Sequence, residues 1–228
     1  ELQFLKDSFV SYIESLDPSE PVIIFGFTYV LYHIVIAALR NEQITVNLPK
    51  GSKVIHIGGW KKLEEQKVNK NTFNNDVSSV LGVEKSNVID IYGFTEQMGL
   101  NYPDCSAHWK HVPAYSEVYV RDEDKLTLCE NGVEGLLQFV SPLQHSYPGN
   151  VVLTDDIGVI NDGLCACGVA GRRFRVLGRA KKAEVRGCGD IMADKVYQAK
   201  SSLKDQELSQ NLEIYHSPII VDDKESPL

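Results

Sequence analysis

The stretch NVIDIYG (87–93) is an apolar run that finishes in glycine, and KVIHIGG (53–59) has the same form. VIIFGF (22–27) is an earlier run of the same kind, and the apolar segments TYVLYHIVIAAL and FNNDVSSVLG lie between the three. Continuous apolar runs are typical of parallel strands that are covered on both faces. Their alternation with helical segments predicts an α/β layer with a parallel sheet.

Beyond Leu100 the pattern changes to short strands separated by Glu-Asn-Gly, Pro-Gly and Asn-Asp-Gly turn signals. The predicted strands are SEVYVRD, KLTL, GLLQFV, NVVLTDDIGVI and RFRVLGR. From Ile191 onward the chain is polar and weakly periodic. The sequence therefore predicts an α/β part over 1–104, a mainly β subdomain over 105–190, and a polar tail or linker over 191–228.

Composition indicates a globular protein that avoids polyanions. The 228 residues carry 23 Lys and Arg against 31 Asp and Glu, which gives a formal net charge of -8. Such a surface disfavours non-specific nucleic-acid binding. A small anion such as ATP can still bind, because local backbone amides and single cations decide that.

The cysteine count and the apolar runs favour the cytoplasm. Five cysteines are an odd number for a disulfide framework, so reduced thiols with metal or catalytic roles are expected. The first sixteen residues form the pattern of an amphipathic helix and not of a signal peptide. The longest apolar stretch, 30–39, is too short for a transmembrane segment.

Glycine follows or ends each predicted parallel strand, as in Gly58-Gly59-Trp60 and Tyr92-Gly93. Ligands of open parallel sheets bind at the carboxyl ends of the strands, where glycine allows close backbone approach. Trp60 and Tyr92 offer flat surfaces on which a purine could stack. The alternative is that these are ordinary strand-to-helix turns.

Two polar residues follow the third strand. Thr95 offers a hydroxyl to a phosphate, and Glu96 offers a carboxylate to Mg²⁺, which prefers oxygen ligands. Their alternative role is to open a helix. Farther along, Asp156 follows an apolar strand, where a carboxylate can accept hydrogen bonds from ribose hydroxyls; a simple turn former is the alternative.

The segment LGRAKKAEVRGCGD (177–190) places several cations around Cys188, which has a glycine on each side. Nearby cations lower the pKa of a thiol and increase its nucleophilic thiolate fraction, while glycine leaves the sulfur accessible. Cys188 is therefore a candidate acyl acceptor. The alternative is a passive turn residue.

A second group of soft ligands comes from two distant segments. Cys165 and Cys167 form a Cys-x-Cys pair, and Cys105, His108 and His111 cluster in PDCSAHWKH. Four such ligands could hold tetrahedral Zn²⁺. Free thiols together with surface histidines are the alternative.

The motifs together resemble one protein family. Their order is GGWKK (58–62), YGFTEQMG (92–99), YPGNVVLTDDIG (147–158), CACG (165–168) and LGRAKKAEVRGCGD (177–190). This order, over about 20–190, resembles the adenylate-forming superfamily, specifically acyl-protein synthetases, the fatty-acid–protein ligases of bacterial acyl reductase complexes. Phenylacetate–CoA ligases are more distant relatives. The resemblance implies a partial adenylate-forming large domain.

The resemblance also implies activation of a fatty acid by ATP and Mg²⁺ to acyl-AMP. The matching positions are Gly58, Gly59 and Trp60 on the adenine side, Tyr92 and Gly93 at the adenine-contacting turn, Thr95 at phosphate, Glu96 at Mg²⁺, Asp156 at ribose and Arg179 after it.

Cys188 matches the cysteine that takes the acyl group and passes it to an acyl reductase partner. The residues that resemble zinc ligands are Cys105, His111, Cys165 and Cys167, with His108 as the alternative to His111.

The chain departs from the superfamily in three features: it has no Ser/Thr/Gly-rich phosphate loop, little sequence after Gly189 for a lid domain, and Lys181 near the place of the usual aspartate. The short end favours an acyl-protein synthetase over a CoA ligase of the phenylacetate type. That ligase is one alternative function, and a zinc-stabilised interaction module with relic nucleotide motifs is another.

Overall fold

The three glycine-bearing runs form neighbouring strands in the computed structural model, which describes residues 4–145 and 147–180. The strands of this sheet, sheet A, are β1 (Ile23–Phe27), β2 (Lys53–Ile57), β3 (Val88–Tyr92) and β4 (Tyr102–Pro103), in that spatial order. Strands β1, β2 and β3 are parallel, and β4 pairs antiparallel with β3. The parallel α/β layer predicted from the sequence is confirmed.

One helix precedes the parallel strands and two others separate them. They are α1 (Lys6–Glu14), α2 (28–41) and α3 (Lys70–Leu81), and short 3-10 turns occupy Lys61–Gln66, Lys85–Asn87 and Thr95–Gln97. The middle of α2, Leu31–Ile36, is a π-helical segment between two α-helical ends. None of the helices in these two described ranges has the length and apolar character that a bilayer crossing requires.

Local sequence signals set the ends of α3. The Asn69 side chain caps its first turn, because Oδ1 accepts a hydrogen bond from the backbone N–H of Thr72 at 2.9 Å. The helix ends at Gly82, whose φ of +65° is left-handed. A Cβ at Gly82 would lie 2.5 Å from Oδ1 of Asn47, so sterics as well as conformation favour glycine.

One face of sheet A packs against the helices. Val54 of β2 and Val88 of β3 join Leu39 of α2 and Val77 of α3 in one buried apolar cluster. Neighbouring residues of a strand point to opposite faces, so Ile55, Ile57, Ile89 and Ile91 lie on the other face and are only half-buried.

The second half of the described chain forms an antiparallel sheet, sheet B. Its strands are β5 (Lys110–His111), β6 (Glu117–Arg121), β7 (Gly135–Val140), β8 (Val151–Asn161) and β9 (Arg173–Arg179), in the spatial order β5-β9-β8-β7-β6. Its core contains Phe139 and Phe174 and also Tyr102 from β4 of sheet A. The mainly β second half is therefore confirmed.

The predicted strand KLTL is wrong. Of these residues only Leu128 makes a bridge, to Arg121 at the end of β6. The carboxylate of Asp122 accepts hydrogen bonds from the backbone N–H groups of Asp124 and Lys125. This local turn competes with strand pairing.

The sheets follow the change of pattern in the sequence. Sheet A lies within residues 23–103 and sheet B within 110–179. The predicted tail, 191–228, lies outside the described residues.

Candidate functional site

The carboxyl ends of the three parallel strands lie side by side. Phe27 pairs with Ile57, and Ile57 pairs with Ile91, so Gly58 follows β2 at the level of Tyr92. Gly58 has a φ of +85°, which a residue with a side chain rarely adopts. Both Gly58 and Gly59 are exposed, and their backbone is open to a ligand at this edge.

Tyr92 reaches from this edge to sheet B. Its hydroxyl donates a 2.6 Å hydrogen bond to Oδ2 of Asp156. On the other side of the carboxylate, Oδ1 of Asp156 lies 3.5 Å from Nε of Arg179, its cross-strand partner on β9. The structure therefore joins three residues that the sequence places up to 87 positions apart.

Burial and the neighbouring Asp156 carboxylate raise the pKa of Tyr92 well above its usual value. The phenol therefore stays protonated at neutral pH and keeps its role as a donor to Asp156. Asp156 itself retains access to solvent, because 23% of its side chain is exposed.

Asp156 does not lie at a strand end, as the sequence suggested, but inside β8. The strand continues past it to Asn161, with a register shift between Ile157 and Gly158 in its pairing with β9. The alternative of a turn former is therefore wrong for Asp156.

The ring of Tyr92 packs within the protein. It stacks on Phe139 at 5.5 Å between centroids and meets Phe174 edge-on at 5.9 Å. Because one ring face lies against Phe139, the parts of Tyr92 left for a candidate site are mainly its hydroxyl and the following backbone.

Trp60 has a different environment from the one expected. Its ring is only 7% exposed and contacts Tyr32, His33 and Phe73 edge-on. A ring so deeply packed offers no open surface for purine stacking, because the aromatic side chains of α2 and α3 cover it. The segment 58–60 can therefore contribute to a ligand site only through its backbone atoms.

Thr95 and Glu96 lie exposed on the 3-10 turn after β3, where the sequence suggested a helix start. Gln97 holds this turn in place. Its buried side-chain amide donates hydrogen bonds to the carbonyl oxygens of Gly149, at 2.8 Å, and Phe139, at 3.3 Å. Sequence reasoning missed Gln97, although a polar residue directly after Thr-Glu was a usable signal.

We expect Gly149→Ala to destabilise this turn. A Cβ at Gly149 would lie 2.0 Å from the backbone oxygen of Glu96, so the backbone of one segment must move. Overpacking of this kind lowers the free energy of unfolding by about 1–3 kcal/mol. Urea denaturation measures it, with Gly178→Ala as the control because a Cβ there meets no atom within 4 Å. Equal stability of the two variants would contradict the prediction.

The four predicted soft ligands come together. One ligand atom each from Cys105, His111, Cys165 and Cys167 lies within 4.8 Å of the other three. Sγ of Cys105 is 3.9 Å from Sγ of Cys165, and Nε2 of His111 is 3.2 Å from Sγ of Cys167. Zn–S bonds of about 2.3 Å imply S–S edges of about 3.8 Å in a tetrahedron. We call these four residues the Cys/His cluster.

Two loops of matching backbone geometry present the cluster. In one, the N–H of Cys105 binds the carbonyl of Trp109, and in the other, the N–H of Cys165 binds the carbonyl of Val169. In the first loop the N–H of His108 donates a hydrogen bond to the carbonyl of Cys105, and in the second the N–H of Gly168 donates to the carbonyl of Cys165. His108 and Gly168 both have positive φ. Each loop thus turns around its first cysteine in the same way.

His108 takes no part in the cluster. Its Nδ1 lies 3.8 Å from a carboxylate oxygen of Asp104, and 41% of its side chain is exposed. His111 occupies the ligand position because it lies on β5, which pairs with β9 directly after the Cys165 loop. The backbone N–H of Cys167 lowers the pKa of the Cys165 thiol, whereas at Cys167 the backbone N–H of Val169 is outweighed by burial and by the thiols of Cys165 and Cys105, which raise its pKa.

Cys188, the candidate acyl acceptor, lies outside the described residues. Of the other predicted site residues, Tyr92, Asp156 and Arg179 meet directly, and Gly58, Gly59, Gly93, Thr95 and Glu96 follow the same edge of sheet A. Gly93 is tightly enclosed, because a Cβ there would lie 2.7 Å from Oδ1 of Asn101.

Comparison with solved structures identifies the fold. A 2-hydroxyisobutyryl-CoA ligase is 14% identical, with a TM-score of 0.59 over 86% of this chain and 41% of the ligase. A long-chain-fatty-acid–CoA ligase, FadD1, from Archaeoglobus fulgidus is 12% identical, with a TM-score of 0.51 over 95% of this chain and 42% of that protein. The fold is therefore that of part of an adenylate-forming ligase.

Curated relatives agree with that fold. A long-chain-fatty-acid–luciferin-component ligase of Vibrio harveyi is 24% identical over 172 residues, which are 75% of this chain and 44% of the relative. The ligase of the same name from Aliivibrio fischeri is 27% identical over 149 residues, 64% of this chain and 39% of the relative. The chain thus spans less than half the length of these relatives.

A family model extends the match over most of the chain. The model of the acyl-protein synthetase LuxE matches residues 1–197, a range that contains all five ordered motifs. The resemblance inferred from those motifs is confirmed, and the chain belongs to the acyl-protein synthetase (LuxE) family.

Proposed function

We propose that the protein activates a fatty acid with ATP, as part of a ligase that passes the acyl group to a protein thiol. The contact of Tyr92, Asp156 and Arg179 at the carboxyl edge of sheet A carries this proposal. A carboxylate that is held from two sides, and still partly exposed, is suited to accept hydrogen bonds from a ribose diol. Family membership and the names of the relatives support the reaction class.

Other residues at this edge would complete the nucleotide site. The exposed backbone of Gly58 and Gly59 would border the adenine, with Gly93 on the neighbouring strand end. Thr95 would hydrogen-bond a phosphate and Glu96 would hold Mg²⁺, because both side chains are exposed on the turn that Gln97 anchors. Mg²⁺ would supply charge neutralisation at the leaving pyrophosphate.

An apolar wall adjoins this edge and suits an acyl chain. Ile57 and Ile91 pair across β2 and β3, and both are half-buried on the face of sheet A opposite Val54 and Val88. The strands that carry them end beside Gly58, Gly59 and Gly93, at the carboxyl edge of sheet A where the nucleotide is proposed to bind. A fatty acid along this wall would bring its carboxylate toward the α-phosphate.

The reaction would proceed in two balanced steps. The carboxylate oxygen forms a bond to the α-phosphorus of ATP, and the bond to the β-phosphate oxygen breaks, so that pyrophosphate leaves. The Cys188 thiolate then forms a C–S bond to the acyl carbon while the C–O bond to AMP breaks. The resulting thioester would deliver the acyl group to an acyl reductase partner.

The Cys/His cluster is proposed as a structural zinc site. Three thiols and one imidazole fit Zn²⁺ in donor type, number and spacing. Cys105 and His111 would hold the ion from one side, and Cys165 and Cys167 from the other. A site filled by four protein ligands leaves no position for a substrate, so the role proposed is to join the two loops.

Hydroxylamine trapping tests the ligase proposal on the 228-residue chain. Radiolabelled ATP should bind in equilibrium dialysis, and a long-chain fatty acid with ATP and hydroxylamine should yield hydroxamate. Absence of both would reject the adenylating function and leave the zinc-stabilised interaction module. Turnover that requires CoA would instead indicate a CoA ligase.

We expect Cys188→Ser to retain ATP-dependent hydroxamate formation and to lose hydroxylamine-sensitive labelling of the protein by radioactive fatty acid. A serine hydroxyl is not ionised at neutral pH and lacks the nucleophilicity of a thiolate. Cys129→Ser is the matched control, because Cys129 belongs to neither proposed site and burial raises its thiol pKa. Persistent labelling of Cys188→Ser would remove Cys188 from the reaction.

A further inference from the structure

A group of charges, of which Lys110 and Asp104 are buried and Asp90 and Lys70 partly exposed, connects the Cys/His cluster to strand β3. The side chains of Lys110 and Asp104 are only 4% and 5% exposed. Nζ of Lys110 lies 2.8 Å from Oδ1 of Asp104 and 3.2 Å from Oδ2 of Asp90. Lys70 also contacts both aspartates. Two lysines and two aspartates thus balance formally, and we call them the ion network.

Backbone bonds strengthen this connection. Nζ of Lys110 also donates to the backbone carbonyl of Asp90 at 3.1 Å, and the N–H of Asp104 donates to the same carbonyl at 2.9 Å. Burial by itself would raise the pKa of Asp90, but the charges of Lys110 and Lys70 outweigh it and hold that pKa at about 2. Asp90 is therefore an anion at neutral pH and remains paired with the lysines.

The ion network lies between the two proposed sites. Asp104 directly precedes Cys105, and Lys110 directly precedes His111, so both are attached to loop residues of the Cys/His cluster. Asp90 is two residues before Tyr92 on β3, and Tyr92 pairs with Tyr102 on β4. A shift of the 104–111 loop therefore reaches the Asp90 end of β3 through buried, ion-paired contacts.

Buried charges allow few alternative arrangements. A lysine ammonium in a closed site needs its anionic partners at hydrogen-bond distance, because water cannot replace them. The loop and the strand thus move together or lose these contacts. Two sites are energetically coupled when they share an element of structure and binding at either site changes the stability of its contacts.

We propose that Lys110 is a positioning residue that transmits metal binding at the Cys/His cluster to strand β3, and so fixes the Tyr92–Asp156 contact. The inference rests on the proposed metal site and assigns this chain a second role for it: the cluster braces the nucleotide edge as well as its own loops. Lys110 touches neither the proposed metal nor the nucleotide.

Hydrogen exchange on the full 228-residue chain tests this coupling. Addition of Zn²⁺ to the metal-free wild type should slow amide exchange in β3, residues 88–92, at least tenfold. Lys110→Met should still bind about one zinc per chain by elemental analysis, but its β3 amides should respond less than twofold. The amides of β7 serve as the internal reference for global stability, since within residues 4–145 and 147–180 β7 makes no hydrogen bond or ion pair with the ion network or the Cys/His cluster.

Two further variants keep the test decisive. Lys53→Met removes an exposed lysine of β2 and should respond to zinc like the wild type. Asp90→Asn removes the network charge that lies on β3 itself and should reproduce Lys110→Met, which covers the case in which Lys110→Met does not fold.

Each outcome has a separate meaning. Zinc binding without protection of β3 in the wild type would overturn the coupling alone. A wild-type response in both Lys110→Met and Asp90→Asn would overturn the role of the ion network. A wild type that binds no zinc would overturn the metal site and this inference together, and ATP binding by equilibrium dialysis would still report on the ligase proposal.

Discussion

Asp156→Ala is expected to weaken ATP binding about 100-fold or more and to abolish detectable hydroxamate formation. The carboxylate is the shared partner of the Tyr92 hydroxyl and the Arg179 guanidinium. Its loss removes the proposed ribose acceptor and leaves the buried Tyr92 hydroxyl without its anion. Hydrogen bonds to charged groups are worth about 1.5–3 kcal/mol each, and about 1.4 kcal/mol is a tenfold change in affinity. Isothermal titration calorimetry with ATP measures the effect.

Asp155→Ala is the matched control for that experiment. Asp155 is the preceding residue of the same strand and also contacts Arg179, at 3.3 Å, but 61% of its side chain is exposed. Exposed ion pairs contribute at most about 1 kcal/mol, so ATP affinity should change less than about fivefold. If Asp155→Ala weakened ATP binding as much as Asp156→Ala, the effect would come from net charge, and the ribose assignment would be wrong.

Replacement of both Cys165 and Cys167 by serine is expected to remove the metal entirely. The wild type should contain about one zinc per chain, and the double variant should contain almost none. The two substitutions delete half of the donor set, and a neutral serine hydroxyl is a poor ligand beside a thiolate. Structural zinc sites contribute to folding, so the free energy of unfolding should fall by several kcal/mol. Elemental analysis and urea denaturation measure the two effects.

Two variants define the specificity of that result. Cys129→Ser removes a cysteine that lies outside the cluster and should retain full zinc content. His108→Ala should also retain zinc, whereas His111→Ala should lose most of it, because only the His111 ring lies among the thiols. Full zinc content in the double serine variant, or a metal-free wild type that is equally stable with and without added zinc, would exclude the proposed site.

Local sequence patterns were sufficient for the elements of sheet A. Apolar runs such as 53–57 predict strands, because a strand that is covered on both faces needs apolar residues at successive positions. This pattern depends only on residues that are neighbours in the sequence. The helix α3 could be anticipated for the same reason, since an asparagine cap and a left-handed glycine act within one turn of its ends. The strand KLTL failed because the Asp122 side chain competes for the backbone at short range.

The aromatic residues illustrate what a local pattern leaves open. Trp60 follows a glycine pair at a strand end, as an exposed stacking surface would, yet its ring lies in the core between α2 and α3. Burial removes the apolar surface of a large ring from water, and this stabilises the fold more than an exposed position at the edge of a site would. Which neighbours surround the ring depends on helix packing, and this information is not local.

The sequence by itself determined the two-part architecture, the family and the donor types of both candidate sites, because these follow from residue identity, periodicity and motif order. Only the tertiary structure decided which residues meet. Antiparallel pairing of β5 with β9 brings His111 and the Cys165 loop together, and packing of Tyr102 with Phe139 and Phe174 brings Tyr92 to Asp156. These contacts join residues more than thirty-five positions apart in the sequence, and their partners are selected by the shape and burial of the whole core.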